Sequence, residues 1–199
     1  MSQPLKINEI FLSIQGEGRN VGEMMVFVRL AGCNLQCSFC DTKHRKVNFR
    51  YTLDSLLTHV SQTYDCRVIL WTGGEPMLQL TQKVYEWFHN HGYKQYIETN
   101  GTIPVTIPFE HITVSPKTGL DKINWNGFRP INEIRLPVDV NTQVPGMDAL
   151  PLAENYYLSP IFEGKRAVKK NVDKCLRIIE NQPDIWKLSV QIQNLLKIP

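Results

Sequence analysis

With 199 residues and 42% apolar content, the chain is long enough for one domain with a substantial core and too short for two of ordinary size, so 1–199 is read as a single domain. A net charge of only +3, with basic residues in short clusters, leaves no electrostatic footprint for nucleic acid. Five cysteines, no apolar signal core behind Met1 and no apolar run of membrane-spanning length indicate a reducing cytoplasm and exclude a membrane protein.

The first strand-like run is Ile7 to Ile14, and Met24 to Leu30 follows it, rich in branched and aromatic residues. Leu53, Leu56, Leu57 and Val60 then mark one face of a helix. Arg67 to Trp71 reads as a strand, and Leu80, Val84, Trp87 and Phe88 repeat the helical spacing. Further strands are predicted at Gln95 to Glu98, His111 to Ser115, Glu133 to Val138, Tyr156 to Leu158 and Trp186 to Val190. Before the last of these, Val168, Val172, Cys175, Leu176 and Ile179 form a helical stripe that Pro183 terminates. From 117 to 130 no apolar period is visible, and loop is expected where a helix could stand.

Strands alternating with helices imply βα units and a mostly parallel sheet with right-handed crossovers. A closed eightfold barrel typically takes about 250 residues. The chain is therefore expected to form an α/β fold of the incomplete, partial β/α-barrel kind, with some helices shortened or replaced by loops. In such a fold the chemistry collects at the carboxyl ends of the strands. The segments Cys33 to Cys40, Thr72 to Pro76, Thr99 to Gly101 and Ser115 to Lys117 all fall there.

Cys33, Cys37 and Cys40 have the spacing CxxxCxxC. Four-iron clusters are normally held by four thiolates, so three leave one iron open to a small molecule. Two other readings stay open at this point: a zinc knuckle closed by His44, and three unrelated buried thiols. Cys175 belongs to the helical stripe and reads as core.

The triad, followed by Gly73-Gly74-Glu75-Pro76, resembles the radical S-adenosylmethionine superfamily. Over nearly the whole chain, Ser13-Ile-Gln-Gly-Glu-Gly18, Arg29-Leu-Ala-Gly-Cys33, Cys40-Asp-Thr42, Glu98-Thr-Asn-Gly101, Ser115-Pro-Lys117, Leu188-Ser-Val-Gln191 and Ile198-Pro199 resemble the 7-carboxy-7-deazaguanine synthase family. The resemblance implies a lyase of queuosine and 7-deazapurine biosynthesis. It converts 6-carboxy-5,6,7,8-tetrahydropterin to 7-carboxy-7-deazaguanine with loss of ammonia, through a 5′-deoxyadenosyl radical that is recovered. The implied cofactors are a [4Fe–4S] cluster on Cys33, Cys37 and Cys40, S-adenosylmethionine and Mg²⁺. A homodimer and an external electron donor such as flavodoxin or ferredoxin are implied as partners.

Carried onto this sequence, the family positions place S-adenosylmethionine at Phe39, Cys40, Asp41, Gly74, Ser115, Pro116, Lys117, Ser159, Pro160, Ile161 and Phe162. Mg²⁺ falls to Thr42. The pterin falls to Ile14, Gln15, Gly16, Arg29, Thr72 and Pro199, the last placing its carboxylate on the guanidine-like edge. Each has a local alternative. Thr42 also reads as a cap or turn, Ser115-Pro116 and Ser159-Pro160 as strand ends, Phe39 as packing, and Arg29 as one half of an ion pair with Glu17 or Glu23. One departure is visible: family members carry His-Lys where this chain has Gln193-Asn194, so two neutral amides replace a titratable ring and a cation. Alternative functions compatible with the triad are a glycyl-radical activase and a non-catalytic regulatory homologue.

Overall fold

The computed structural model describes residues 3–40 and 45–199. In chain order the elements are β1 (Leu5–Ile14), β2 (Met24–Leu30), β3 (Phe49–Tyr51), α1 (Leu53–Thr63), β4 (Val68–Gly73), α2 (Gln82–Asn90), β5 (Lys94–Thr99), β6 (His111–Val114) and β7 (Ile131–Val138). Then come β8 (Ala153–Pro160), β9 (Phe162–Glu163), β10 (Arg166–Ala167), α3 (Lys169–Asn181), β11 (Trp186–Leu188) and α4 (Ile192–Leu196). Among the described residues nine strands form one sheet in the order β11-β8-β7-β6-β5-β4-β2-β1-β3, and β9 and β10 form a separate ribbon.

The ladders from β2 through β4, β5, β6, β7 and β8 to β11 are all parallel. β1 runs antiparallel to β2, and β3 antiparallel to β1. The sheet is thus an opened barrel with its edges at β3 and β11, as its length implied. Among the described residues three of the four α-helices are long enough to cover crossovers. The β5–β6, β6–β7 and β7–β8 connections carry only loops and one-turn 3-10 helices such as Leu120–Lys122 and Trp125–Gly127. The expected loop at 117–130 is therefore there.

Period-two alternation divides the sheet into two faces. Val26, Val28 and Leu30 on β2, with Ile69 and Trp71 on β4, join the large core under the helices. That core also takes Leu56 and Val60 from α1, Val84 and Phe88 from α2, and Cys175 from α3. Both α1 and α2 begin at a threonine whose hydroxyl accepts a backbone N–H, Thr52 from Ser55 and Thr81 from Val84. The opposite face holds a smaller cluster of Met25, Phe27 and Leu70 near the strand beginnings. Toward the strand ends this inner face turns polar, with Thr72, Glu98, Thr113, Glu133 and Arg135. A barrel interior that is apolar at one end and charged at the other is built to bind at the charged end.

Trp71 is fully buried, stacks edge-on against Phe88 and donates its indole N–H to Gln95 Oε1 at 3.1 Å. Replacing it by alanine removes both contacts, and Trp71→Ala is expected to cost about 3–5 kcal/mol in denaturant unfolding.

Candidate active site

The β2–β4 pairing fixes where the cysteine loop starts. Gly74 N donates to Leu30 O at 3.0 Å and Glu75 N to Gly32 O at 2.9 Å, so the turn after β4 is laced to the loop after β2. Gly73 takes φ +110°, which favours glycine. At Gly74 a Cβ would stand 1.7 Å from Gly32 O. The missing side chain is thus required by the backbone that carries Cys33, whatever else approaches from the cavity.

Glu75 of the same turn is fully buried. Its carboxylate accepts from Thr99 Oγ1 at 2.7 Å, Asn100 N at 2.8 Å and Met77 N at 3.0 Å. Burial pushes its carboxyl above the ordinary value, and these three donors oppose that rise. Glu75 therefore ties the Gly-Gly turn to the Thr99–Gly101 turn, and it is not itself on the cavity wall. Asn100 then reaches forward, its Nδ2 donating to Asn34 Oδ1 at 3.1 Å and lying 3.8 Å from Cys33 Sγ. The Leu35 amide points at the same sulfur at 3.4 Å.

Cys33, Cys37 and Cys40 are free thiols that border one cavity of about 760 Å³. Burial raises the Cys37 thiol; Lys117 lowers it, and Cys40 and Cys33 push it up further. Three neighbouring thiolates that repel one another need a cationic core between them. Among the described residues no three His, Cys, Asp or Glu side chains are set to hold a single metal ion. A cubane makes a different demand, since it offers each sulfur a separate iron. Thiols on a loop that border a cavity, two of them half-buried and Cys33 approached by N–H donors, fit such a cluster.

The same cavity is lined by Ile14, Gln15, Gly16, Arg29, Phe39, Thr72, Gly74, Ser115, Lys117, Ser159, Pro160, Ile161, Phe162 and Pro199. Sequence reasoning and structure therefore bring these to one place. Pro116 is buried and is not on the wall. Asp41, Thr42 and His44 lie outside the described residues. Ser115 Oγ donates to Arg135 O at 2.9 Å and receives Lys117 Nζ at 2.6 Å.

Arg29 does form an ion pair, but neither expected partner is the one it meets. Its Nε lies 3.3 Å from Glu9 Oε2, because the β1–β2 register sets Glu9 opposite Arg29. Its guanidinium also covers the Phe11 ring at 5.3 Å. Glu17 is turned inward instead. Pro199 is held by Ser13, whose Oγ donates to Pro199 O at 2.9 Å, so the end of the segment packs beside β1. Before it stands α4, a helix not predicted from the sequence.

Sequence reasoning missed the polar floor. Arg135, almost fully buried, donates Nε to Glu133 Oε1 at 2.8 Å, Nη2 to Glu98 Oε1 at 3.0 Å and Nη1 to Glu17 Oε2 at 3.1 Å. Glu98 also accepts from Gln15 Nε2 at 3.0 Å and Thr72 Oγ1 at 3.2 Å. Glu17 accepts from Gln193 Nε2 at 3.1 Å, and Asn194 Nδ2 donates to Gln191 Oε1 at 2.7 Å. Gln193 and Asn194 are thus ordered parts of this floor. The available signal was Glu133-Ile-Arg135-Leu, opposite charges two residues apart in an otherwise apolar strand.

Burial alone would raise the Glu133 carboxyl; Arg135, His111 and the Arg19 amide overcome it and hold it at about 2. Burial disfavours the Arg135 charge, and the three carboxylates hold it protonated.

With this geometry in place, comparison with known proteins is informative. Residues 27–128 match the model of the Radical SAM superfamily, and the chain belongs to that superfamily of enzymes. Within it, the chain belongs to the 7-carboxy-7-deazaguanine synthase family. It is 36% identical to the synthase of Bacteroides thetaiotaomicron over 97% of this chain and 98% of that one. It is 34% identical to the synthase of Haemophilus influenzae over 96% of this chain and 93% of that one. The fold is shared with the crystal structure of QueE from Escherichia coli at a TM-score of 0.73 and 24% identity, covering 94% of each chain. A [4Fe–4S] cluster and S-adenosylmethionine are the cofactors of the superfamily.

Two predictions follow from this geometry. Gly74→Ala displaces Gly32 and should abolish iron incorporation on reconstitution, read as iron per chain, while the far-ultraviolet spectrum stays that of a folded protein. Because Arg135, His111 and the Arg19 amide hold the Glu133 carboxyl well below its ordinary 4.5, the stability it contributes is complete above pH 4.5 and is lost as pH falls through the lowered value. The stability gap between the native protein and Glu133→Gln should therefore be widest above pH 4.5 and shrink on acidification.

Proposed function

We propose that this chain is a 7-carboxy-7-deazaguanine synthase, contracting the ring of 6-carboxy-5,6,7,8-tetrahydropterin with release of ammonia. The observation that carries this reading is the convergence, on one cavity, of the cysteine triad with Arg29, Gln15 and Thr72. A bound cluster and S-adenosylmethionine supply one-electron cleavage of the sulfonium and a radical able to take hydrogen from carbon. The chain's own residues bind, orient and exclude water.

Arg29 supplies a cation for the substrate carboxylate at the cavity wall, with Glu9 restraining its position from the outer side. The side-chain amide of Gln15 already donates one N–H to Glu98 and accepts from Glu17 N at 3.0 Å, which leaves it one N–H and one lone pair. Gln15 and Thr72 therefore serve the pterin through the carboxylate they orient as much as by direct contact. Ser115 and Lys117 on one side, with the Ser159–Phe162 segment beyond, form the wall for S-adenosylmethionine. Thr42 takes Mg²⁺ in this reading, with oxygen from the substrate and water completing its shell. A homodimer in the cytoplasm, reduced by a flavodoxin or ferredoxin, completes the proposal.

The test is anaerobic turnover of reconstituted protein with reductant, S-adenosylmethionine, Mg²⁺ and the carboxytetrahydropterin. Formation of the deazaguanine acid is expected. A competent cluster that yields deoxyadenosine and no such acid overturns the reading. Arg29→Met should raise KM for the pterin at least tenfold while leaving iron content unchanged.

A further inference from the structure

A single carboxylate is enough to neutralise a buried guanidinium, yet Arg135 has three. They come from the turn after β1 (Glu17), from β5 (Glu98) and from β7 itself (Glu133). Three anions around one cation, with the arginine side chain only 6% exposed, leave surplus negative charge in a poorly solvated place. Such an arrangement does not maximise stability. It does fix distances, because the guanidinium is a flat fork whose donors point along set directions.

The fork spans the sheet. Thr113 on β6 is in register with both Glu98 and Glu133, so Arg135 reaches past β6 to β5. Glu133, two residues before Arg135 on the same face, anchors its Nε and is itself fixed by the Arg19 amide at 2.8 Å. The other two carboxylates line the cavity and collect different side chains, although the two sides also meet directly, Ile192 N donating to Gly16 O at 3.2 Å and Glu17 N to Gln15 Oε1 at 3.0 Å. Glu98 holds Gln15 and Thr72, whereas Glu17 holds Gln193 in the segment that leads to Pro199.

We propose that Arg135 is the positioning residue of the substrate site, a rigid spacer that fixes the separation and direction of the Glu98 and Glu17 carboxylates and, through them, the Gln15, Thr72 and Gln193 side chains on the cavity wall. The width of the slot offered to a flat heterocycle then depends on a planar bridge, not merely on a positive charge. This inference rests on the carboxypterin reading above.

The test uses cluster-reconstituted protein with S-adenosylmethionine and measures the affinity for 6-carboxypterin, an aromatic and unreactive probe, by its fluorescence. Arg135→Lys keeps the charge and loses the fork; its iron content should match the native protein while affinity falls at least tenfold. Millimolar guanidinium should restore affinity to Arg135→Ala, and methylammonium should not. Unchanged affinity in Arg135→Lys, or equal rescue by methylammonium, overturns the proposal. Should both arginine variants fail to fold, Glu98→Gln and Glu17→Gln each loosen one end of the bridge. Affinity unchanged in both of these overturns it equally. If the native protein itself does not bind the probe, the substrate reading fails, and the spacer is read from amide exchange in 192–199. That exchange should be at least tenfold faster in Arg135→Lys, in which Glu17 keeps its own bond to Gln193, and an unchanged rate overturns the spacer.

Discussion

The site depends on a backbone contact between two turns. The cysteine loop has almost no regular structure to hold it, and what sets it over the sheet is the Gly32 carbonyl received by Glu75 N beside a residue with no Cβ. From that contact the arrangement propagates. Glu75 carries it to Thr99 and Asn100, and Asn100 returns it to Asn34 and the Cys33 sulfur. A loop that must present three thiolates at one corner is thereby stiffened by neutral and charged hydrogen bonds that do not compete with the metal for its ligands.

The second organising element is electrostatic, and it lies deeper. The carboxylates of Glu17, Glu98 and Glu133 surround one guanidinium beneath the cavity. Removing Arg135 would leave buried carboxylate charge uncompensated, which is far more costly than never having placed the pair. The floor is therefore a unit, and Gln193 belongs to it as a donor to Glu17. Gln193 and Asn194 close this corner with amides that do not titrate. Hydrogen bonding at that corner is consequently insensitive to pH in the range where histidine would change charge.

Much of the fold was legible because apolar spacing is dictated by packing. The βα alternation and the absence of an α-helix at 117–130 followed from where Val, Ile, Leu and aromatic residues recur, and the shortened barrel from the length of the chain. What was not legible has physical reasons. β3, with only Phe49, Arg50 and Tyr51, is too short to show a period, and β9 and β10 have two residues each. The antiparallel direction of β1 is set by the Gln15–Glu23 turn, which no strand pattern reveals. Within the site, the cysteines and the glycine turn were readable because their chemistry is local in sequence. Arg135 was not, since its partners lie 118, 37 and 2 positions away. The partner of Arg29 was misassigned for the same reason: strand register, not sequence proximity to the motif, brings Glu9 across.

The hydroxyl of Ser13 and the carbonyl of Pro199 meet across 186 positions. Closing so long a loop is entropically slow and gains nothing until the intervening sheet exists to bring the two regions together. Assembly of the wall is thus a late event in folding, after the scaffold has formed. An immature polypeptide has its thiols in place before it has a complete chamber, so the chemistry that demands exclusion of water becomes available only to the finished molecule.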